Sequence, residues 1–565
     1  MTRTGERAVT SLLRMPSWIA RIETPDEGVI GAGVLLAPDR VLTAAHVVVP
    51  GQPYVVHFAG VPDAPSVPAH VLPQEHVPQR EDPFGDRSGD LALLRLDEPL
   101  PAQHTTWLYR RATPHGPVSM YGFPVGDDAG RWHDATLVGG RGRDSQVQLR
   151  PRTEGELASP GFSGAGVVDH ATDRVIGIVL SVDEGRPTAF TYMSPTETIL
   201  RHLPQVSAWT YGAEAVDRTL RTGTRGAGGE LDVGFATELA SWFRGEGWPV
   251  LVTVVPPRGP RAWTLKRAIT LADRELRTER NTSAFDHDPP ETVPPAGGHD
   301  LALDVRGMTA AQVTDRIAER LGVRADPLPE RLGALRVPLA AVLAGIDEAA
   351  EPDALLGLLD RLTQQGARLL LVFRHRHDRF EQAAEALVHR PLRDRWTRLS
   401  DELGCIHDEL GPALEERRDR VLPGPDPATL RLLTEAEAAV RRTRMLSAWL
   451  AHAPDRDREP LRADLLFTFE DAVERRRQRL EQAITLLDTR LRRREELLGR
   501  VTATWPLFRE RNATDTDRTM KAYRLYEEVL AHLQQTPCDL DRSEAATTHF
   551  LTYCTTPPPG REDPP

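Results

Sequence analysis

The chain has 565 residues, a net charge of −12, a pI near 5.9 and 40% apolar residues. That length allows roughly three to four domains of about 150 residues, and the acidic balance argues against a general nucleic-acid binder. The three cysteines, Cys405, Cys538 and Cys554, leave no disulfide available before residue 405, which fits a reducing compartment. The N-terminal stretch MTRTGERAVTSLLRMPSWIARIE is broken by arginines and lacks the apolar core of a secretory signal. No run approaches the ~20 apolar residues that span a membrane. A cytoplasmic protein with no membrane contact is expected.

In chain order, residues 15–205 read as all-β. Short apolar runs recur at Gly31–Leu36, Tyr54–Phe58, Leu91–Leu96, Val118–Gly122, Gln146–Leu149 and Val175–Leu180, punctuated by Gly, Pro and Asp. Such spacing suits a barrel or sandwich. A first domain is placed at 1–207 and a Gly-rich linker at 208–229. From 230 to 380 apolar runs alternate with helical patterns. Helices are predicted over Ala236–Arg244, Trp263–Arg280 and about 353–365, and strands at Pro249–Val255, Leu301–Val305, Pro338–Ile346 and Ala367–Phe373. This alternation implies a parallel α/β sheet. Residues 381–554 are helical and charged. Leu480, Ile484, Leu487, Leu491, Leu498 and Val501 recur mostly at three- and four-residue steps, the pattern of a long amphipathic helix or coiled coil. Packing within one chain is the preferred reading, and oligomerisation through these helices is the alternative. The Pro-rich tail, 555–565, is expected to be disordered.

The stretch Gly161-Phe-Ser-Gly-Ala-Gly166 raises the question of a mounted nucleophile. A serine hydroxyl is a poor nucleophile until a base removes its proton. A base candidate, His46, ends Leu42-Thr-Ala-Ala-His46, and an acid candidate, Asp90, opens Asp90-Leu-Ala-Leu-Leu-Arg-Leu96. Histidine, with a pKa near neutrality, can take the proton and later return it to a leaving amine. An aspartate just before a buried strand can fix the imidazole's tautomer.

These three motifs, in this order on a β-rich background, resemble the trypsin-like serine peptidases, specifically their intracellular bacterial branch. The resemblance covers residues 15–205. It implies a double β-barrel, a His46–Asp90–Ser163 triad and an oxyanion hole made by the amides of Gly161 and Ser163. It also puts Leu157 and Ser181 at the specificity pocket, so a small or apolar side chain is expected before the cut. Digestive relatives are switched on when a new N-terminus pairs with an aspartate just before the nucleophile. Here that position is Phe162, so this switch is absent.

The segment Val250–Ala268 has a strand–loop–helix layout that resembles a P-loop without its working parts. Against G-x-x-x-x-G-K-[ST], Pro256 replaces the first glycine, Arg261 the second, Ala262 the lysine and Trp263 the hydroxyl residue. Gly259 lies inside the loop. Further on, Val342-Leu-Ala-Gly-Ile-Asp-Glu-Ala349 resembles the second nucleotide motif of STAND ATPases, with Ala344 in place of the metal-ligating acid and Asp347 and Glu348 kept. The resemblance implies an inactive STAND-like module that binds no cofactor and hydrolyses no ATP. Joined to a peptidase, such a module is similar to components of bacterial conflict systems, including antiphage defence. It implies a sensor or regulatory protein as partner besides a protein or peptide substrate.

Cys538, His549 and Cys554 lack the tight ligand pairs of a zinc site, so no metal is expected. Two further readings stand beside the peptidase: a peptide-binding scaffold that has kept the fold, and an assembly platform whose protease trims only itself.

Overall fold

The computed structural model describes residues 15–26, 28–61, 66–81, 87–111, 116–124, 126–141, 146–152, 161–182, 191–222, 230–278, 288–335, 339–452 and 463–556. The chain divides into two compact units, Met1–Val388 and His389–Pro565. Among the described residues no helix is long and apolar enough to cross a membrane.

The first unit begins with two six-stranded barrels. β1 (Ile19–Thr24), β2 (Gly28–Ala37), β3 (Arg40–Thr43), β4 (Tyr54–Phe58), β5 (Val67–Val77) and β8 (Leu91–Leu96) close in the order β1-β2-β3-β8-β5-β4. A short ribbon of β6 (Arg80–Glu81) and β7 (Arg87–Ser88) precedes β8. The period-two alternation of strands divides side chains between two cores. On β1, Ala20 and Ile22 enter the first barrel's core, whereas Ile19 joins that of the second.

The second barrel runs β13 (Gly166–Asp169), β10 (Gly116–Gly122), β11 (Arg131–Arg141), β12 (Gln146–Pro151), β15 (Thr191–Pro195) and β14 (Arg174–Val182), closed by pairing of β13 with β14. β9 (Leu108–Tyr109) and β16 (Thr210–Tyr211) extend it beside β14. Helix α1 (Thr196–His202) follows β15.

The stretch expected to be a linker is structured as far as Thr222. Ala302 donates to the carbonyl of Ala215 at 2.7 Å, and Asp217 donates to that of Ala302 at 3.0 Å. Residues 215–217 thus lie along the edge strand of the next sheet. That capture uses backbone groups, which the glycines further on do not reveal. Residues 223–229 lie outside the described residues.

The sheet is parallel throughout, in the order β17 (Val250–Val254), β20 (Arg368–Phe373), β19 (Ala340–Ala344), β18 (Leu301–Asp304). Helices α2 (Val233–Phe243), α3 (Pro260–Ala272), α4 (Ala310–Leu321), α5 (Leu328–Leu335), α6 (Pro352–Gln364) and α7 (Asp378–Ala384) accompany it. Both faces are covered, so the strands read as continuous apolar runs. Leu369, Leu371 and Phe373 enter one core, and Leu370 and Val372 the other. Helix α3 ends eight residues before the predicted Arg280. Asp273 turns extended and its carboxylate accepts the amide of Leu276 at 2.8 Å, which stops the helix.

The second unit is all-α: α8 (Arg390–Cys405), α9 (Gly411–Arg420), α10 (Pro427–His452), α11 (Ala463–Arg511), α12 (Thr516–Gln534) and α13 (Leu540–Thr555). The 49-residue α11 packs against α9, α10, α12 and α13. Its stripe Leu466, Val473, Leu480, Leu487, Val501 and Phe508 is buried at heptad spacing. Of the predicted stripe, Leu480, Leu487, Leu491 and Val501 are buried, while Ile484 and Leu498 are half-buried beside the buried Ala483 and Leu497. Cys538 is buried, with Sγ 3.4 Å from Ser543 Oγ. Burial holds the Cys554 thiol up at about 11.

Candidate active site

Antiparallel pairing of β3 with β8 sets Leu42 against Leu93 and Thr43 against Ala92. The carboxyl end of β3 therefore meets the amino end of β8. His46 lies in a 3-10 turn (Ala45–Val47) three residues beyond β3, and Asp90 immediately precedes β8. In this way 44 residues of sequence separation become one contact. Nδ1 of His46 lies 3.0 Å from Oδ1 and 2.9 Å from Oδ2 of Asp90, and the backbone amide of His46 donates to Oδ1 at 3.0 Å. The carboxylate is 2% exposed and the imidazole 44%, so the acid is shielded while the ring stays open to an incoming group.

The backbone at the acid is unusual. Asp90 has φ +63°, a left-handed conformation that non-glycine residues seldom adopt outside turns and functional sites. Its neighbour Gly89 has φ +78°, and a Cβ there would meet the Pro78 carbonyl at 2.7 Å. The sequence carried this signal only as the pair Gly-Asp before an apolar run.

Ser163, half-buried, sits in the loop between residue 161 and β13. Its carbonyl accepts the amide of Ala32 at 2.8 Å, and Thr43 Oγ1 donates to the Ala32 carbonyl at 2.7 Å. Gly31 separates the serine loop from the histidine turn. A Cβ at Gly31 would lie 2.7 Å from Val47 Cγ1 and 3.1 Å from the Ser163 carbonyl. Gly164, at φ +84°, has no room for a side chain, since a Cβ would fall 2.1 Å from the Ala32 carbonyl oxygen and 2.2 Å from Thr43 Oγ1. The motif's small residues are thus dictated by close approach of the two barrels. Gly161 has φ +105°, and among the described residues neither its amide nor that of Ser163 donates to a backbone carbonyl. Two donors left open beside a serine can receive a developing oxyanion.

Among the described residues the histidine and serine side chains that lie within hydrogen-bond distance are His170 and Ser119, with Nε2 3.1 Å from Oγ, rather than His46 and Ser163. Among the described residues no carboxylate bonds His170, and Ser119 is 6% exposed in the middle of β10. A base without an orienting acid beside a buried hydroxyl is a poorer arrangement for nucleophilic attack. Leu157 lies outside the described residues. Ser181 stands in β14 opposite Tyr192, just past an irregularity in register, and its side chain is outside the described set.

The residues expected from sequence to form degenerate nucleotide motifs lie at the carboxyl ends of the parallel strands. Gly259, at φ +106°, caps α3, and Ala262 is buried in that helix. Arg261 lies 4.2 Å over the Phe235 ring and donates to the Val254 carbonyl at 3.3 Å. Asp347, at 4% side-chain exposure, accepts the amides of Arg374 at 2.8 Å and His375 at 3.1 Å. Glu348 lies 3.9 Å from Arg306. Unanticipated from sequence is a buried ion pair between α1 and α4. Arg320 Nη2 donates to Glu197 at 2.8 Å, with 2% and 3% exposure, and Arg320 Nε donates to the Asp300 carbonyl at 2.9 Å.

Residues 31–178 match the family model of the trypsin-like peptidase domain. Among curated proteins none matches this chain in sequence. Among solved structures it is similar to the HtrA-type protease AlgW with a decapeptide, at 18% identity over 36% of this chain and 67% of that one, TM-score 0.28. Neuropsin, a serine protease expressed in the limbic system of mouse brain, matches at 18% identity over 34% of this chain and 95% of that one, TM-score 0.29. The serine endoprotease from Yersinia pestis matches at 16% identity over 36% and 67%, TM-score 0.26. The double barrel of this chain carries a trypsin-like peptidase domain.

Proposed function

We propose that this chain is a serine endopeptidase in which Ser163 attacks the scissile carbonyl, His46 accepts its proton and Asp90 orients the imidazole. The observation that carries this reading is the shielded Asp90 carboxylate gripping both the ring and the backbone amide of His46. As the Ser163 Oγ–carbon bond forms, the proton passes to His46 Nε2, while Nδ1–H stays bonded to Asp90. The carbonyl oxygen gains the negative charge and is met by the amides of Gly161 and Ser163. Each such donor contributes about 2.7–4 kcal/mol to the transition state. The proton on Nε2 then goes to the leaving amine, and water repeats the sequence on the acyl-enzyme. Leu157 and Ser181 are assigned to the pocket that takes a small or apolar side chain. Labelling by a fluorophosphonate tests the reading: wild type should be labelled and Ser163→Ala should not. An unlabelled wild type would overturn it.

The α/β layer is read as a STAND-like module that has lost nucleotide turnover. In open parallel sheets ligands bind outside the carboxyl ends of the strands, where the strand order reverses. Here that crevice is taken by the chain's own groups: Asp347 caps the turn after β20, and the guanidinium groups of Arg261 and Arg374 reach the carbonyls of Val254 and Val255. Magnesium-dependent ATP turnover by the purified chain would contradict this. On this reading the later modules govern the peptidase within a bacterial defence or signalling system, answering a protein partner in the cytoplasm.

A further inference from the structure

We infer that Phe162 is a positioning residue that keeps the oxyanion loop assembled by packing, with no ion pair and no activating cut; the inference rests on the reading of Ser163 as nucleophile. The loop from Gly161 to Gly166 contains no ionisable side chain. Three of its six residues are glycines, and glycine peptides rotate at little steric cost. Donor amides in such a loop stay aimed only if something heavy anchors them. The one large side chain is Phe162, which is 2% exposed within the second barrel's core.

The socket for this ring is built to fit. A Cβ at Gly122 would lie 2.4 Å from Phe162 Cγ, so the ring occupies the space a side chain on β10 would need. The His133 ring, buried on β11, meets it edge-on at 5.9 Å between centroids. Backbone bonds then tie the loop around the anchor. Phe123 donates to the Gly161 carbonyl at 3.0 Å, Ala165 to the Phe162 carbonyl at 2.9 Å, and Gly164 to Val179 at 2.8 Å. With the Phe162 carbonyl already taken, the amide of the same trans peptide, that of Ser163, faces the opposite way. A Cβ at Gly161 would fall 2.0 Å from the Phe123 carbonyl oxygen, so the tie between β10 and the loop tolerates no side chain there. Phe162 thus sits between the two proposed donors, and the peptide planes that flank it are tied through their carbonyls, the second of them carrying the Ser163 donor.

The test uses the full-length chain as wild type, Phe162→Ala, Phe162→Leu and Gly122→Ala. The rate of fluorophosphonate labelling is followed across pH, with thermal unfolding as a check of folding. Loss of an aimed oxyanion donor lowers the rate by about 10²–10³-fold. A fall of about that size is expected for Phe162→Ala, with Phe162→Leu between it and wild type. The midpoint of the pH profile should stay where it is, because the His46–Asp90 pair is untouched. Gly122→Ala, which pushes on the ring, should also slow labelling. Wild-type labelling rates in folded Phe162→Ala would overturn the inference and leave the assignment of Ser163 standing. If Phe162→Ala does not fold, unchanged rates in the folded Leu and Gly122 variants would overturn it equally. An unlabelled wild type would remove both readings at once. A shifted midpoint would mean that Phe162 acts through the histidine, against the inference.

Discussion

Two aspartates in the first unit hold a histidine in the same manner. Asp90 accepts both the backbone amide and Nδ1 of His46, at 3.0 and 2.9 Å. Asp347 accepts both the backbone amide and Nδ1 of His375, at 3.1 and 3.2 Å. Both carboxylates are shielded, at 2% and 4% exposure, and both rings are open, at 44% and 69%. The surroundings differ. Across Gly31 from the His46 turn lies the glycine-rich loop of Ser163, in which, among the described residues, the amides of Gly161 and Ser163 donate to no backbone carbonyl. Among the described residues His375 and Asp347 have no hydroxyl or thiol partner, and Asp347 also takes the amide of Arg374. A gripped imidazole can therefore be a structural device, as at Asp347, and at Asp90 it becomes half of a catalytic arrangement only on the proposed reading of Ser163 as nucleophile.

The comparison is tested most severely by matched substitutions. Asp90→Asn should lower kcat for peptide cleavage by about 10⁴-fold, because the wrong tautomer of His46 is then favoured. Asp347→Asn should leave kcat unchanged. Equal losses in the two variants would end the distinction. Next in size is Arg320→Ala, which strands the buried Glu197 carboxylate. Breaking such a pair costs about 3–5 kcal/mol, read as a lower midpoint in chemical denaturation of the full chain. Asp347→Ala should cost about 1–3 kcal/mol, by removing the charge-assisted bonds to the amides of the half-buried Arg374 and the exposed His375 at the turn after β20. A denaturation midpoint equal to wild type would refute its role as a staple.

The smallest effect concerns pH. Burial holds the pKa of His299 below its ordinary value; it is neutral in the fold, with Nε2–H donating to the Ile269 carbonyl at 3.2 Å. The unfolded chain protonates this residue near its ordinary ~6.5. Protons thus favour the unfolded state below that pH. The stability linked to His299 is complete above about 6.5 and declines as pH falls, by at most ~1.4 kcal/mol per pH unit. His299→Phe should flatten the acid limb of the stability curve by that slope. Parallel curves for wild type and variant would show that another group carries it.

Much of this was legible in the sequence where the signal is local. Leu42–His46, Asp90–Leu96 and Gly161–Gly166 each combine an apolar strand or a turn with one chemical residue, so the three candidates could be picked without coordinates. That His46 meets Asp90 was expected only through the family resemblance, since the contact depends on the register of β3 with β8. The helix predicted to Arg280 failed because a single side chain, Asp273, takes the Leu276 amide and ends it early. The stretch 208–222 looked like a connector because backbone bonds join residues 215–217 to β18, and such bonds leave no apolar pattern. Arg320 and Glu197 look like surface charges in a charged chain, and only the fold, bridging 123 residues, buries them together. Phe162 stood out in sequence as a departure; its socket at Gly122 did not.

The most direct measurement is to locate a fluorophosphonate adduct by peptide mass spectrometry in wild type and in His46→Ala. A single adduct on Ser163, lost in His46→Ala, is the predicted result. An adduct on Ser119, or one on Ser163 that persists without His46, would contradict the assignment of this site.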